Sequence, residues 1–466
     1  MMRNRAFFMG FPARNLFCTE IALEQCLRAV CGHHGLTKAW NGLGTSLAVA
    51  SLTGATMKNQ VSKRAILFCL AISLIGWTFS VSAQQSRQFS AAPSTSIEPL
   101  RGQIDWPSGA LENWDGPVVL FLSAAVPSDR DGWMVRAMET VWGDRLPLKE
   151  LSAALVKEGV AVIRFDNPGV LPPQKRCRQN VLKRGITERT LRNRCMDVEV
   201  VGRFTPERYW EAIEHMLPEV QNLMPAGRDK LFLFGFSEGL MHAAVLADRG
   251  HVKPRGFISL GSPAEKMETI AHWQANGRIT ENLDKFDANA DSVVTNEEIK
   301  QGYKTGLNNF MSVDGWLSHS GEWNSRNRYL LAKRSELYYE EIMEYFRDVS
   351  GAGGLRWMLQ ANGMRVPDAT DATMQFYFYG QTSPAEVMQR RRIPGLFIWG
   401  DKDRQVCVDR QVVLADRANS EGADLVYLRF PDRYHLLSKR KDFDWLEKGF
   451  MPVIAKEVSA FLSSRL

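Results

Sequence analysis

The chain has 466 residues, 45% hydrophobic and 24% charged, with no low-complexity tract and no legible internal repeat, which excludes disordered and fibrous classes and predicts a globular core. Its formal charge of +6 belongs to the first 83 residues: these hold eight Lys/Arg against two Asp/Glu, and the remainder carries fifty of each. A chain so balanced offers no nucleic-acid-binding face on the global scale, and no nucleic-acid partner is expected.

In chain order, residues 1–56 carry no periodicity, and the Cys26, Cys31, His33, His34 cluster lacks the second half that a zinc site needs. The segment is expected to be an extension upstream of a translation start at Met57. Residues 57–83 have the layout of a signal peptide: Lys58, Lys63 and Arg64, an apolar run from Ala65 to Val81, then Val81-Ser82-Ala83 as the small-x-small cleavage site. A single transmembrane anchor is the competing reading, although the run is near the short limit for spanning a bilayer. Export to a periplasmic or secreted location is the expectation, with a membrane partner only if the segment stays uncleaved. Residues 84–96, polar and rich in Ser and Gln, are predicted to form a flexible lead-in.

From residue 97 apolar strands alternate with amphipathic helices, the pattern of an α/β fold with a mostly parallel central sheet and helices on both faces. Strands are predicted over 118–122, 160–165, 231–234, 256–260, 395–399 and 425–430. Helices are predicted over 146–158, with Leu148, Leu151 and Leu155 on one face, over 206–217, and over about 445–462. The core thus divides into 97–262 and 391–466. Residues 263–390 between them are helical and aromatic-rich, and are predicted to form a large cap over the rim where Ser237 emerges.

Gly235-Phe236-Ser237-Glu238-Gly239 spells G-x-S-x-G between an apolar strand and a run with helical spacing (Leu240, Met241, Ala243, Ala244, Leu246). Strand, abrupt turn, helix is the context in which this motif presents a serine hydroxyl above a sheet. A serine is a weak nucleophile until a base takes its proton, and the base needs an orienting carboxylate. In such a sheet the partners follow in the order Ser, Asp, His at C-terminal strand ends. The strand at 395–399 runs into Gly400-Asp401-Lys402-Asp403. Either aspartate can serve, and Asp403, about two residues past the turn glycine, is better placed to fold back toward an imidazole. His435 stands in the loop after the next strand. His215, His242, His251, His272 and His319 are predicted on helices or at cap positions. The oxyanion formed on attack needs two N–H donors, expected from Glu238 and from Ala124 or Ala125 in the loop after 118–122.

These motifs resemble those of bacterial α/β-hydrolases, in the serine-esterase and peptidase branch that includes dienelactone-hydrolase-like and prolyl-oligopeptidase-like members. The loop Val126-Pro127-Ser128-Asp129-Arg130-Asp131-Gly132 is similar to the family's oxyanion loop, Phe165-Asp166-Asn167-Pro168-Gly169-Val170 to its Asp-x-x-Gly turn, and Pro431 to Leu437 to its histidine loop. Ala124-Ala125 stands where the family usually has glycines. The resemblance covers roughly 100–262 and 385–466. It implies an acyl-enzyme hydrolase of carboxylic esters or, alternatively, small peptides, with no organic cofactor. An inactive, calcium-dependent binding protein is the reading from another class.

The insertion carries a second motif. Residues 287–298 place Asp287, Asn289, Asp291, the Val293 carbonyl, Thr295 and Glu298 at the ligand positions of an EF-hand loop, which predicts a structural Ca2+ bracing the cap. Ser292 stands where glycine normally makes the sharp bend, and no second such loop is legible. Finally, the basic stretch 175–194 is enclosed by Cys177 and Cys195, a candidate disulfide in an exported protein that would leave Cys407 as the odd thiol.

Overall fold

A computed structural model describes residues 84–91, 99–123, 128–132, 145–171, 206–305, 313–348, 382–439 and 447–466, together with residues 177, 179, 195, 197 and 200. The upstream extension, the signal-type segment 57–83 and the pair Ala124, Ala125 lie outside the described residues.

Eight strands form one sheet: β1 (Gln85–Ser90), β2 (Arg101–Trp106), β3 (Val118–Leu122), β4 (Ala161–Phe165), β5 (Leu231–Phe236), β6 (Gly256–Leu260), β9 (Gly395–Gly400) and β10 (Leu425–Phe430). Their order is β1-β2-β4-β3-β5-β6-β9-β10. β2 is antiparallel to both its neighbours, and every other pair is parallel. Two further strands, β7 (Val294–Thr295) and β8 (Glu322–Trp323), pair with each other in the insertion.

The apolar runs of the central strands have no polar alternation because both sheet faces are covered. Successive residues of β5 go to opposite sides: Leu231 and Leu233 join one core, Phe232, Phe234 and Phe236 the other. The first core is closed by α2 (Pro206–Leu223), α3 (Gly239–Asp248), α8 (Pro384–Arg391) and α9 (Val408–Ser420), the second by α1 (Pro147–Lys157) and α10 (Met451–Ser463). Leu148, Leu151 and Leu155 are the buried stripe of α1. Strand order and the single reversed strand make this the α/β-hydrolase fold.

Three expectations need correction. The predicted flexible lead-in is in part a strand: Gln85–Ser90 pairs residue for residue with β2. Its side chains are almost all exposed, so no apolar period marks it, and the backbone ladder alone defines it. Helix α2 runs to Leu223, not Leu217, straight through Pro218, because Met216, Leu217 and Val220 are all buried and hold the last turns to the core. The closing helix begins at Met451 with Pro452 in its first turn, where the missing N–H costs nothing.

Between β6 and β9, which pair directly despite the insertion, come α4 (Met267–Leu283), α5 (Asn296–Lys304), α6 (Val313–Trp316) and α7 (Ser325–Asp348). Leu283, Phe286, Val294, Ile299 and Trp316 make a small core of their own. Among the described residues no helix is long and apolar enough to cross a membrane.

Candidate active site

The turn from β5 into α3 is built by close approach. A Cβ at Gly239 would stand 1.9 Å from the Leu122 carbonyl oxygen at the end of β3, and one at Gly235 would stand 2.2 Å from the Leu240 nitrogen. Neither position tolerates a side chain while the helix starts where it does. Between them Ser237 takes φ 51, a left-handed conformation that costs a non-glycine residue on the order of 1–3 kcal/mol. Its N–H donates to the Leu260 carbonyl (3.0 Å), which ties the bend to β6.

The bend aims the Ser237 hydroxyl at His435. Ser237 Oγ lies 2.8 Å from His435 Nε2, and His435 Nδ1 lies 2.8 Å from Asp403 Oδ2. With a carboxylate at Nδ1, that nitrogen carries the proton and Nε2 is left to accept from the hydroxyl. Asp403 Oδ1 also accepts the N–H groups of Gln405 (2.7 Å) and Val406 (3.0 Å), so both its oxygens are engaged. Asp401, the other aspartate of this loop, instead pairs with Arg429 at 2.6 Å. His435 and Asp403 are buried and Ser237 is half-buried, so the serine end of the relay is the accessible one. Burial pushes the Cys407 thiol up.

Sequence reasoning missed what holds the imidazole. Gly261, at φ 67, sits so close to the histidine loop that a Cβ there would stand 2.3 Å from the His435 carbonyl oxygen. Leu437 turns through φ 59, and Arg433 binds the Leu437 carbonyl (3.0 Å) and Glu447 across the loop. A positive φ at leucine has no sequence signature.

Glu238 follows Ser237, and its side chain is buried against His242: Nε2 of His242 lies 3.0 Å from the carboxylate, while Trp210 Nε1 donates to His242 Nδ1 (3.0 Å). That donation leaves the imidazole proton on Nε2, pointing at Glu238. Tyr209 lies against the same group, and burial first, with the Glu238 charge adding and a Ser123 hydrogen bond opposing, pushes its phenol above the usual range.

The second oxyanion donor was expected from Ala124 or Ala125. The flanks of that loop are pinned. Ser123 Oγ donates to Asn167 Oδ1 (3.2 Å), the Asn167 N–H donates to the Ser128 carbonyl (3.0 Å), and Arg130 pairs with Asp166. Arg164 is buried within apolar β4, where it binds Asp105, Asp131 and the Arg130 carbonyl. A charge so placed is retained only with partners on every side.

Residues 287–298 turn through φ 59 at Ala290 and φ 67 at Ser292, so the serine takes the bend usually given to glycine. Asp287 accepts the N–H groups of Asp291 (3.2 Å) and Ser292 (2.9 Å), and Asn289 and Asp291 close similar turns. Glu298 takes the N–H groups of Ala288 and Thr295 and the Thr295 hydroxyl, forming a capping box with Thr295. Thr295 hydrogen bonds first, opposed by partial burial, leave that carboxyl below its usual range. Among the described residues no three His, Cys, Asp or Glu side chains are gathered as a metal centre. The loop's oxygens match in kind the hard donors calcium takes.

The loop is also not solitary, contrary to expectation. Val294 and Thr295 pair with Trp323 and Glu322, and residues 316–327 repeat the same plan. Gly321 at φ 91 occupies the place of Ser292. Asn324, which accepts the Asn327 N–H (3.0 Å), occupies the place of Thr295. Asn327 stands where Glu298 stands, and its amide donates to Ser320 Oγ (2.8 Å) and the Glu322 carbonyl (3.1 Å). Without acidic residues at the matching positions, this copy left no legible motif. Elsewhere Cys177 and Cys195 are joined by a disulfide, both fully buried.

The chain therefore presents a Ser–His–Asp hydrogen-bonded relay on an α/β-hydrolase fold. No protein-family model matches it, and no curated protein matches it. Among solved structures it is similar to the acylaminoacyl peptidase of Pyrococcus horikoshii, at 13% identity and TM-score 0.40 over 84% of this chain and 43% of that one. A proline iminopeptidase of Mycobacterium smegmatis matches at 13% identity and TM-score 0.41, over 81% of this chain and 98% of that one. A thermostable carboxyl esterase of Bacillus coagulans matches at 12% identity and TM-score 0.42, over 81% and 98%. This chain spans less than half the length of the Pyrococcus peptidase. Identities this low do not extend to substrate, and the chemistry rests on this chain's own residues.

Proposed function

We propose that the chain is a serine hydrolase that cleaves a carboxylic ester through an acyl-enzyme. The observation that carries this reading is the unbroken relay from Ser237 Oγ through His435 to Asp403, each step 2.8 Å. Ser237 attacks the ester carbonyl as His435 Nε2 takes its proton, and Asp403 stabilises the imidazolium that results. The oxyanion is held by the Glu238 N–H and by that of Ala124 or Ala125. His435 returns the proton to the departing alkoxide. A water then attacks the acyl-enzyme with the same imidazole as base, releasing the acid and restoring Ser237.

Covalent labelling with a fluorophosphonate, the modified residue located by mass spectrometry, tests the nucleophile, and p-nitrophenyl esters run beside peptide amides test the bond cleaved. Label on Ser237 and ester turnover abolished by Ser237→Ala are expected. Turnover unchanged by that substitution would exclude the reading.

Calcium is proposed as a structural cofactor, held by Asp287, Asn289, Asp291, the Val293 carbonyl, Thr295 and Glu298, where it would brace the insertion and take no part in the reaction. The left-handed Ser292 supports this. Calorimetry with calcium on the wild type and Glu298→Gln tests it, and equal heats would remove the site. Export is proposed on the layout of residues 57–83, and the buried Cys177–Cys195 bridge is the kind of bond an oxidising compartment maintains.

A further inference from the structure

The insertion does more than sit between β6 and β9. Gln274, Arg278 and Asn282 recur every four residues along α4 and so share one stripe of the helix. All three meet the loop that holds Asp403. Gln274 Nε2 donates to the Gln405 carbonyl (2.8 Å), Arg278 Nη1 donates to Gln405 Oε1 (3.1 Å), and Arg404 Nη1 donates to Asn282 Oδ1 (3.4 Å). Arg404 and Gln405 are buried.

The peptide plane between Gln405 and Val406 is the critical one. Its N–H, on Val406, donates to Asp403 Oδ1 (3.0 Å), and its carbonyl, on Gln405, accepts from Gln274. A peptide unit is rigid, so a group holding its oxygen also aims its N–H. Without Gln274 the carbonyl is a buried acceptor in need of a partner. The plane then rotates to find one, and the Val406 N–H leaves the carboxylate. Arg278, gripping the side chain of the same residue, resists that rotation.

We propose that Gln274 and Arg278 are positioning residues for the reaction: through the Gln405–Val406 peptide, the insertion sets the orientation of the Asp403 carboxylate against His435. The hydrolase core thus draws one of its alignments from outside itself, through contacts that the insertion makes with the Asp403 loop. This rests on the relay reading above.

The test is ester turnover, thermal unfolding and the rate of fluorophosphonate labelling in the full chain, for Gln274→Met, Arg278→Met and Arg278→Lys. Methionine matches glutamine in length and removes its donor, and at Arg278 it keeps the aliphatic stem and removes the guanidinium. Each methionine variant is expected to lose roughly tenfold to a hundredfold in kcat and in labelling rate, as misplacement of order 1 Å does, with KM within about twofold. Arg278→Lys, which still donates to Gln405 Oε1, is expected to recover most of the loss. A purely structural role would lower the melting temperature and leave kcat of the folded protein unchanged. Wild-type kcat and labelling in the methionine variants, with Ser237→Ala inactive, overturns the proposal and leaves the relay standing. Activity retained by Ser237→Ala instead sinks the relay itself. Should Arg278→Met not fold, Gln274→Met, a neutral change at a half-buried position, decides alone.

Discussion

Asp403→Asn separates geometry from charge, and the structure says which way the amide will face. One carboxylate oxygen accepts two backbone N–H groups and the other accepts one imidazole N–H. If the new NH2 faced the backbone, two donor–acceptor pairs would become donor–donor contacts, each having contributed about 1.5–3 kcal/mol as a bond to a charged group. If it faces His435 only one pair is disturbed, and the imidazole recovers it by moving its proton from Nδ1 to Nε2. The second orientation is therefore favoured. Its consequence is that Nε2, now protonated, cannot take the proton of Ser237. The loss in kcat is expected to be about ten-thousandfold, the scale seen when a triad histidine is held in the wrong tautomer. Stability falls by only about 1–2 kcal/mol, since neutral acceptors replace charged ones. Steady-state hydrolysis of a p-nitrophenyl ester and the urea midpoint measure the two effects. Asp401→Asn, which removes only a partner of Arg429, is the control and should turn over within about twofold of the wild type. More than a tenth of wild-type kcat in Asp403→Asn, or a dead Asp401→Asn, would falsify the assignment.

Gly239→Ala should cripple the protein by sterics alone: the new methyl meets the Leu122 carbonyl at 1.9 Å, so α3 must back away from β3. A loss of about 1–3 kcal/mol in stability is expected from the overpacking. Turnover should fall at least tenfold as Ser237 moves with the helix, and a urea melt beside an ester assay would show an unperturbed variant at once if the contact is not real. For Glu298 the sign follows from its lowered value. The folded state favours its ionised form, so its contribution is complete above the unfolded value of about 4.3 and fades as pH drops through the folded value. In chelator, the melting-temperature gap between wild type and Glu298→Gln should be open at neutral pH and close on acidification. A gap independent of pH would show that the carboxylate charge plays no part.

Much of the fold was legible because period and punctuation carried it. The runs at 118–122, 231–234 and, but for Ser259, 256–260 are continuous and apolar because both sheet faces are covered, and the two glycines around Ser237 record a contact too close for a Cβ. These are local constraints, and a local constraint leaves its mark on neighbouring letters. The strand at 85–90 left none, since a solvated edge buries no face. Nor did the second loop at 316–327, where Trp316, Ser320 and Asn327 take the places that Asp287, Asp291 and Glu298 hold in the first.

The sequence by itself determined the order of Ser237, Asp403 and His435 along the chain and the kinds of element that end at each. It also favoured Asp403 over Asp401, and only the tertiary structure supplied the partner of each, His435 for Asp403 and Arg429 for Asp401. The tertiary structure alone brought Gln274 and Arg278 of the insertion onto the Asp403 loop. That placement depends on contacts between segments more than a hundred residues apart, and packing at that range is set by the shape of the whole core, which no short window of residues encodes.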